Sequence, residues 1–353
     1  MNRYTQRLVA AAVLAMLLGF GSVARAVDTV KMIEGKPQVG TVNAMTPTEI
    51  TLQQGALGNK IAVNEIALVL FEGEPKELAN ARNHFVAGRY AEALPLLNKI
   101  DLEALKRDEI KQDAEFYKAI TSARLALGGS GSFAAAGKLL IAFDKSNPTS
   151  FHALEVAEAL GDMFGTQGNY VQAEKYYAKL AAVPWPDYQM KAGVAIGRAL
   201  LAQKKFDEAQ QKFVEVEAME SKGKQADRQR AAASLGKAAV TFGKGKPADA
   251  IKETEDLILK TEEEDADLYA RAYNLIGNCQ LAAGKKKDAR TAFLHVDLLY
   301  AGVADQHAEA LYQLSKLWAE LDHADRANVA KRQLQQRYPN SPWTKKDAPP
   351  KSG

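Results

Sequence analysis

The sequence is poor in the residues that chemistry requires. It holds one cysteine, Cys279, in 353 residues. One cysteine cannot close an intramolecular disulfide, so the fold does not depend on one, and a lone thiol on a helix reads as a small buried apolar side chain. The five histidines are His84, His152, His295, His307 and His323. None stands in a His-Glu-x-x-His or other ligand spacing, and His295 beside Val296 reads as a packed or surface residue. No Gly-x-Ser-x-Gly elbow occurs. Gly128 to Ser132 resembles a phosphate loop only in part, because Gly137-Lys138 comes one residue late and Leu139 replaces the Ser or Thr that would hold magnesium. It reads as a turn, as does Gly243 to Pro247. Glu262 to Asp265 is a solvated charge run. These absences argue against an enzyme, a metal centre or a cofactor.

An excess of one charge is missing too. The whole chain has a formal charge of +3, from 46 Lys and Arg against 43 Asp and Glu. Arg3, Arg7 and Arg25 account for that difference, and all three lie in a segment that reads as a cleavable signal peptide. Its basic start is followed by an apolar run, Leu8 to Phe20, and by Ala24-Arg25-Ala26, a small-x-small cleavage pattern. The run is shorter than the roughly 20 residues a membrane anchor needs, and no Cys follows it to take a lipid. Cleavage after Ala26 predicts an exported, periplasmic or secreted chain with no net charge and no transmembrane span. A nucleic-acid binder would keep a basic excess, so no nucleic-acid partner is expected.

Two textures follow. From Val27 to Gly73, β-branched runs alternate with turn residues. Strands are expected at Val30 to Ile33, Val39 to Val42, Glu49 to Leu52, Lys60 to Val63 and Ile66 to Phe71. Five strands in so short a stretch predict a small barrel, closed or nearly so, since closure removes exposed edges. The spacing of Gly40-Thr41-Val42, Ile50-Thr51-Leu52, Ile61 and Ile66 resembles an Sm-like or SH3-like barrel.

From Glu74 to about residue 344 the texture is helical and repetitive. Ala93, Ala136, Ala173, Ala209, Ala250, Ala289 and Ala327 recur at intervals of 36 to 43 residues. Five residues before each stands Gly88, Gly131, Gly168, Lys204, Gly245, Gly284 or Asp322. Seven after stands Ile100, Phe143, Leu180, Val216, Leu257, Val296 or Leu334. Where it is glycine, the residue at −5 is expected to end one helix in a left-handed conformation. The small anchor lets the next helix pack closely, and the apolar residue at +7 shares its buried face. Hairpins of this kind bury their apolar faces by stacking on one another, which makes a solenoid.

The motifs of the third unit (Leu160-Gly161, Phe164, Gly168-Asn169-Tyr170, Ala173, Tyr177) and the sixth (Tyr273, Ile276-Gly277, Gly284, Ala289, Phe293) resemble the tetratricopeptide repeat (TPR) family. The closing Tyr338-Pro339-Asn340-Ser341 is similar to the end of exported bacterial members. The resemblance implies a mostly α fold, a right-handed solenoid of about seven hairpins, with a protein or peptide as partner. The family unit is about 34 residues, so extra residues are expected in the turns, among them Pro184-Trp185-Pro186 and Gln225 to Gln229. Residues 345–353 read as a disordered tail.

In that family the first helix of each hairpin lines a concave groove through unit positions 2, 5 and 9. The register implies Glu155, Glu158 and Asp162 in the third unit, Lys191 and Arg198 in the fourth, Arg230 and Lys237 in the fifth, and Arg271, Asn274 and Asn278 in the sixth. The implied groove is acidic early and basic later, suited to an acidic or carboxylate-ended segment. The function implied is an envelope scaffold for protein–protein interaction. A non-catalytic enzyme subunit and a self-assembling repeat protein are the alternatives.

Overall fold

The computed structural model describes residues 27–261 and 265–346. The signal peptide, most of the charge run and the tail beyond Lys346 lie outside the described residues. Five strands come first: β1 Asp28–Met32, β2 Gln38–Met45, β3 Glu49–Gln54, β4 Leu57–Ala62 and β5 Ile66–Leu70. They form one antiparallel sheet in the order β4-β3-β2-β1-β5. The expected strands are all present. Closure is not: β4 and β5 stand at opposite edges, with a 3₁₀ turn at Val63–Glu65 between them, so the module is an open sheet rather than a closed barrel.

The sheet hides its apolar face in another way. Val30, Val42, Ile50, Leu52, Ile61, Val69 and Phe71 share one continuous core with Leu78, Ala81, Ala93, Leu97 and the aromatic residues of the next hairpins. It therefore caps the first hairpin, where burial of the sheet's inner face replaces the closure that a free-standing module would need.

Seven helical hairpins follow: α1 Lys76–Val86 with α2 Tyr90–Leu97, α3 Asp108–Leu127 with α4 Phe133–Ser146, α5 Ala153–Thr166 with α6 Tyr170–Ala181, α7 Pro186–Ala202 with α8 Phe206–Ala218, α9 Lys224–Gly243 with α10 Pro247–Lys260, α11 Ala266–Ala282 with α12 Lys286–Leu299, and α13 Ala304–Glu320 with α14 Ala324–Arg337. A short helix, α15 Pro342–Lys346, closes the described chain. Lys345 and Lys346 are thus helical rather than part of the tail. The starts are encoded locally. Ser132, Asn169 and Asp265 accept backbone N–H bonds as N-caps, and Pro186 and Pro247 occupy first-turn positions that need no N–H donor.

The repeat positions do what their spacing demands. All seven anchor alanines are buried, six of them completely. The residue at −5 is left-handed at Gly88, Gly168, Lys204, Gly245, Gly284 and Asp322. The exception is the second hairpin, where Gly129 (φ 79°) takes the role expected of Gly131. At +7, Phe143, Leu180, Val216, Val296 and Leu334 are buried. The surplus over the family's unit lies only partly in turns. First helices reach 20 residues in α3 and α9 and 17 in α7, α11 and α13. Gln225 to Gln229, expected as a turn, form the opening turns of α9.

The glycine in the middle of the first helices α5, α7 and α11 has a steric cause. A Cβ on Gly197 would come within 2.5 Å of the Phe213 ring, and one on Gly277 within 2.6 Å of Phe293. Gly161 meets Tyr177 in the same way. In each case the small residue receives the aromatic residue at +4 from the anchor.

Candidate functional site

First helices supply the charged groups that meet inside the solenoid. Arg124 comes from α3, Glu158 and Asp162 from α5, Lys191 and Arg198 from α7, Asp267 and Arg271 from α11, and Asp305 from α13. They are close enough to act on one another's ionisation across the interior. Asp267 feels Arg271, Arg198 and Arg124, and Arg198 feels Arg271, Asp267, Asp162 and Asp305. Hairpins two, three, four, six and seven therefore contribute to one electrostatic cluster.

Within the cluster most charges are paired. Lys191 Nζ lies 2.6 Å from Glu158. Arg271 donates to Asp267 at 2.8 Å and to Asp305 at 3.2 Å. Asp162 accepts a 2.9 Å bond from the Tyr177 hydroxyl. Burial and the neighbouring Glu158 carboxylate push its own carboxyl up to about 6, while Arg124, Tyr177 and Lys191 pull the other way. Glu158 stays ionised: burial opposes its charge, but Lys191 and Arg124 outweigh it and hold its pKa down.

Arg124 and Arg198 differ. Among the described residues no acceptor lies within hydrogen-bond or ion-pair distance of either guanidinium, although Glu158 and Asp162 hold the pKa of Arg124 up. Burial and the adjacent Arg271 push the pKa of Arg198 down to about 10 against the pull of Asp267, Asp162 and Asp305. This is a cation whose solvation is partly removed and whose partner is not supplied by the described residues.

Asn274 and Asn278 serve the next hairpin. Asn274, buried, donates to the Gln306 backbone carbonyl at 3.0 Å and to its side-chain oxygen at 3.1 Å, while its own Oδ1 is buried without a partner. Asn278 donates to Glu309 at 2.8 Å and accepts from Gln313 at 3.2 Å. Glu155 lies beside His152, 3.5 Å from its Nδ1.

The fifth hairpin contributes no cation. Arg230 bonds Asp227 and the loop carbonyls of Met219 and Ser221, at 2.9, 3.1 and 2.5 Å, and so staples the turn before its own helix. Lys237 reaches Glu217 at 2.8 Å and lines an outward cleft of about 350 Å³ with Gln210 of α8 and Glu253 and Asp256 of α10. The cause is register. In the third, fourth and sixth units the helix glycine stands 12 residues before the anchor, but Gly236 stands 14 before Ala250. Two residues turn an α-helix by about 200°, so Arg230 and Lys237, set by Gly236, do not share the register of the other units, and both are engaged by the preceding loop and α8. That spacing was the signal in the sequence that would have excluded Arg230 and Lys237. Arg124 carried no such signal, because the second unit lacks the Gly motif that sets the register. The interior is consequently a mixed cluster in which, among the described residues, Arg124 and Arg198 lack a hydrogen-bond or ion-pair partner and Arg198 stands beside Arg271.

No metal-holding group of three or more His, Cys, Asp or Glu side chains occurs among the described residues. Cys279 is buried, and burial pushes its thiol up to about 12, so it is inert packing. No described helix is long and apolar enough to cross a membrane.

The fold is a TPR-like solenoid. Similar solved structures include a tetratricopeptide repeat protein from Parabacteroides merdae, 13% identical, covering 74% of this chain and 92% of that one at a TM-score of 0.48. A Rap protein complexed with Competence and Sporulation Factor is 17% identical, covering 76% and 77% at 0.45. Pseudomonas aeruginosa pilF is 18% identical, covering 68% and 98% at 0.37. No family model and no curated protein matches the chain.

Proposed function

We propose that this chain is an exported scaffold, without chemistry of its own, whose solenoid interior holds a segment of a partner protein. The observation that carries the reading is Arg198: a guanidinium turned into the interior, beside a second arginine, with no acceptor among the described residues. A carboxylate of the partner segment would supply one. Charge-assisted bonds of this kind are about twice as strong as neutral ones, and this one would also relieve the repulsion between Arg198 and Arg271. Lys191 and Arg271 are engaged with the chain's own acids and hold the frame. Export rests on the signal-like segment ending at Ala26, and it places the partner in the periplasm or outside the cell.

The test is a cross-linked pull-down from envelope extract with the mature chain, its Arg198→Glu variant and its Arg230→Glu variant. Arg198→Glu should lose partners that the wild type and Arg230→Glu both retain, with helicity unchanged by circular dichroism. Identical partner sets from all three chains would refute the role of Arg198. Retention no greater than a denatured control would refute the scaffold.

A further inference from the structure

In a solenoid each hairpin ordinarily touches only its neighbours. Here the second hairpin also touches the seventh, more than 200 residues away. The Asn340 amide donates a 2.8 Å bond to the Gly129 carbonyl. The two turns meet so closely that a Cβ on Gly129 would stand 2.8 Å from Ser341 Cβ and 3.0 Å from its Cα. A Cβ on Gly128 would stand 3.0 Å from Ala304 Cβ at the start of α13. Ser341 is buried by the contact region, 3% exposed. Gly128 to Ser132, which looked like a fragment of a phosphate loop, is thus explained: its glycines allow two backbones to approach where side chains would keep them apart.

The contact closes the solenoid on itself. It brings hairpins two and seven together on one side of the charge cluster whose members come from both ends, Arg124 on α3 and Asp305 on α13. Yet the closure is small. It consists of one backbone hydrogen bond and a patch of glycine, alanine and serine contacts, and a single such bond contributes only about 1 kcal/mol net. A contact this weak between elements otherwise unconnected is suited to open and close.

We propose that the Gly128–Gly131 turn and the Asn340–Ser341 turn form a clasp that holds the solenoid shut over its own interior charges, and that a partner gains the interior by opening it. The proposal rests on the reading of Arg198 as the partner's anchor. The clasp keeps the interior occupied by intramolecular ion contacts, and a partner's carboxylate replaces part of that network when the clasp parts.

Two sets of variants test this in the full mature chain. Gly128→Cys with Ala304→Cys places two thiols where a disulfide locks the clasp, with Cys279 buried and out of reach. Gly129→Val puts a branched side chain into Ser341 at a left-handed position, and Asn340→Pro removes the bonding N–H. X-ray scattering reads the clasp without any ligand: both opening variants should increase the maximum dimension, and the oxidised pair should not exceed the wild type. Binding is read with fluorescein-labelled decaglutamate. The oxidised pair should bind about tenfold more weakly than the same protein reduced, the effect expected when the competent state is depopulated about tenfold.

Failure of the two cysteines to oxidise, or scattering curves unchanged in both opening variants, would overturn the clasp. So would equal binding by the locked and reduced forms. If the opening variants expand but no form binds decaglutamate, the clasp stands and the carboxylate reading of Arg198 falls.

Discussion

Arg107 closes both terminal nitrogens of its guanidinium on Asp28, at 2.8 and 2.9 Å. Asp28 opens β1 and Arg107 immediately precedes α3, so this fork joins the sheet to the second hairpin. Asp28 also accepts the backbone amides of Val42 and Glu72, at 2.8 and 2.9 Å. Burial opposes its charge, but Arg107 and the two amides outweigh that and hold its carboxyl below the usual range. One buried carboxylate thus ties together β1, β2, the end of β5 and the solenoid.

Removing its partner should be costly. Arg107→Ala leaves Asp28 charged and buried, and a loss of about 3 kcal/mol is expected in denaturant unfolding. Adding Asp28→Asn should restore part of it, because a neutral amide needs no counter-charge. A loss under about 0.5 kcal/mol in the single variant would show that the fork does not anchor the sheet.

Glycines in the first helices should separate by their neighbours. Gly161→Ala and Gly277→Ala each force a methyl into an aromatic ring and should cost about 1–3 kcal/mol. Gly165→Ala meets only ordinary contacts at 3.8 Å and should be neutral or raise stability by up to about 1 kcal/mol through helix propensity. Thermal melts of the three variants compare them directly. A common effect would disprove the packing account.

Two left-handed residues carry a cost that five units of the repeat avoid with glycine. Lys204 and Asp322 both have φ 61°. Lys204→Gly and Asp322→Gly should each stabilise the chain by about 0.5–1 kcal/mol, since glycine adopts this conformation without strain. Destabilisation of both would mean that the native side chains hold these turns.

Mild acid should stabilise the protein. Asp162 has its pKa raised to about 6, so the folded state takes up a proton that the unfolded chain does not take until near pH 3.8, and stability rises as pH falls through 6. His152 acts in the same direction. Burial disfavours its charge, but its bonds to Asp113 and Glu155 outweigh burial, and a raised histidine pKa gives stability at low pH that is lost as pH rises. The carboxylates with lowered pKa, Asp28, Glu158 and Asp267, withdraw stability only below their own ordinary values. The melting temperature should therefore rise from pH 8 to pH 5, and Asp162→Asn should flatten the part of that rise near pH 6. A melting temperature that falls over this interval, or an unaltered slope in the variant, would contradict the assignment.

By itself the sequence determined what is local and repeated. A buried alanine, a left-handed residue five before it and an apolar residue seven after it are demands of one helical hairpin on its own chain. The alanine was legible in all seven hairpins; the glycine five before it is left-handed at Gly88, Gly168, Gly245 and Gly284, Gly129 takes that role from Gly131, and Lys204 and Asp322 adopt the conformation without glycine. The five strands were legible for the same reason, because alternation and turn residues act within a few positions. Tertiary structure decided what depends on rotation and curvature. Arg124, in a unit without the register motif, was brought among the interior charges, while Arg230 and Lys237 were engaged by the preceding loop and Glu217. The sheet stayed open because the first hairpin covers its apolar face. The meeting of Gly129 with Asn340 depends on small rotations accumulated over five intervening hairpins, and no short stretch of sequence encodes that sum.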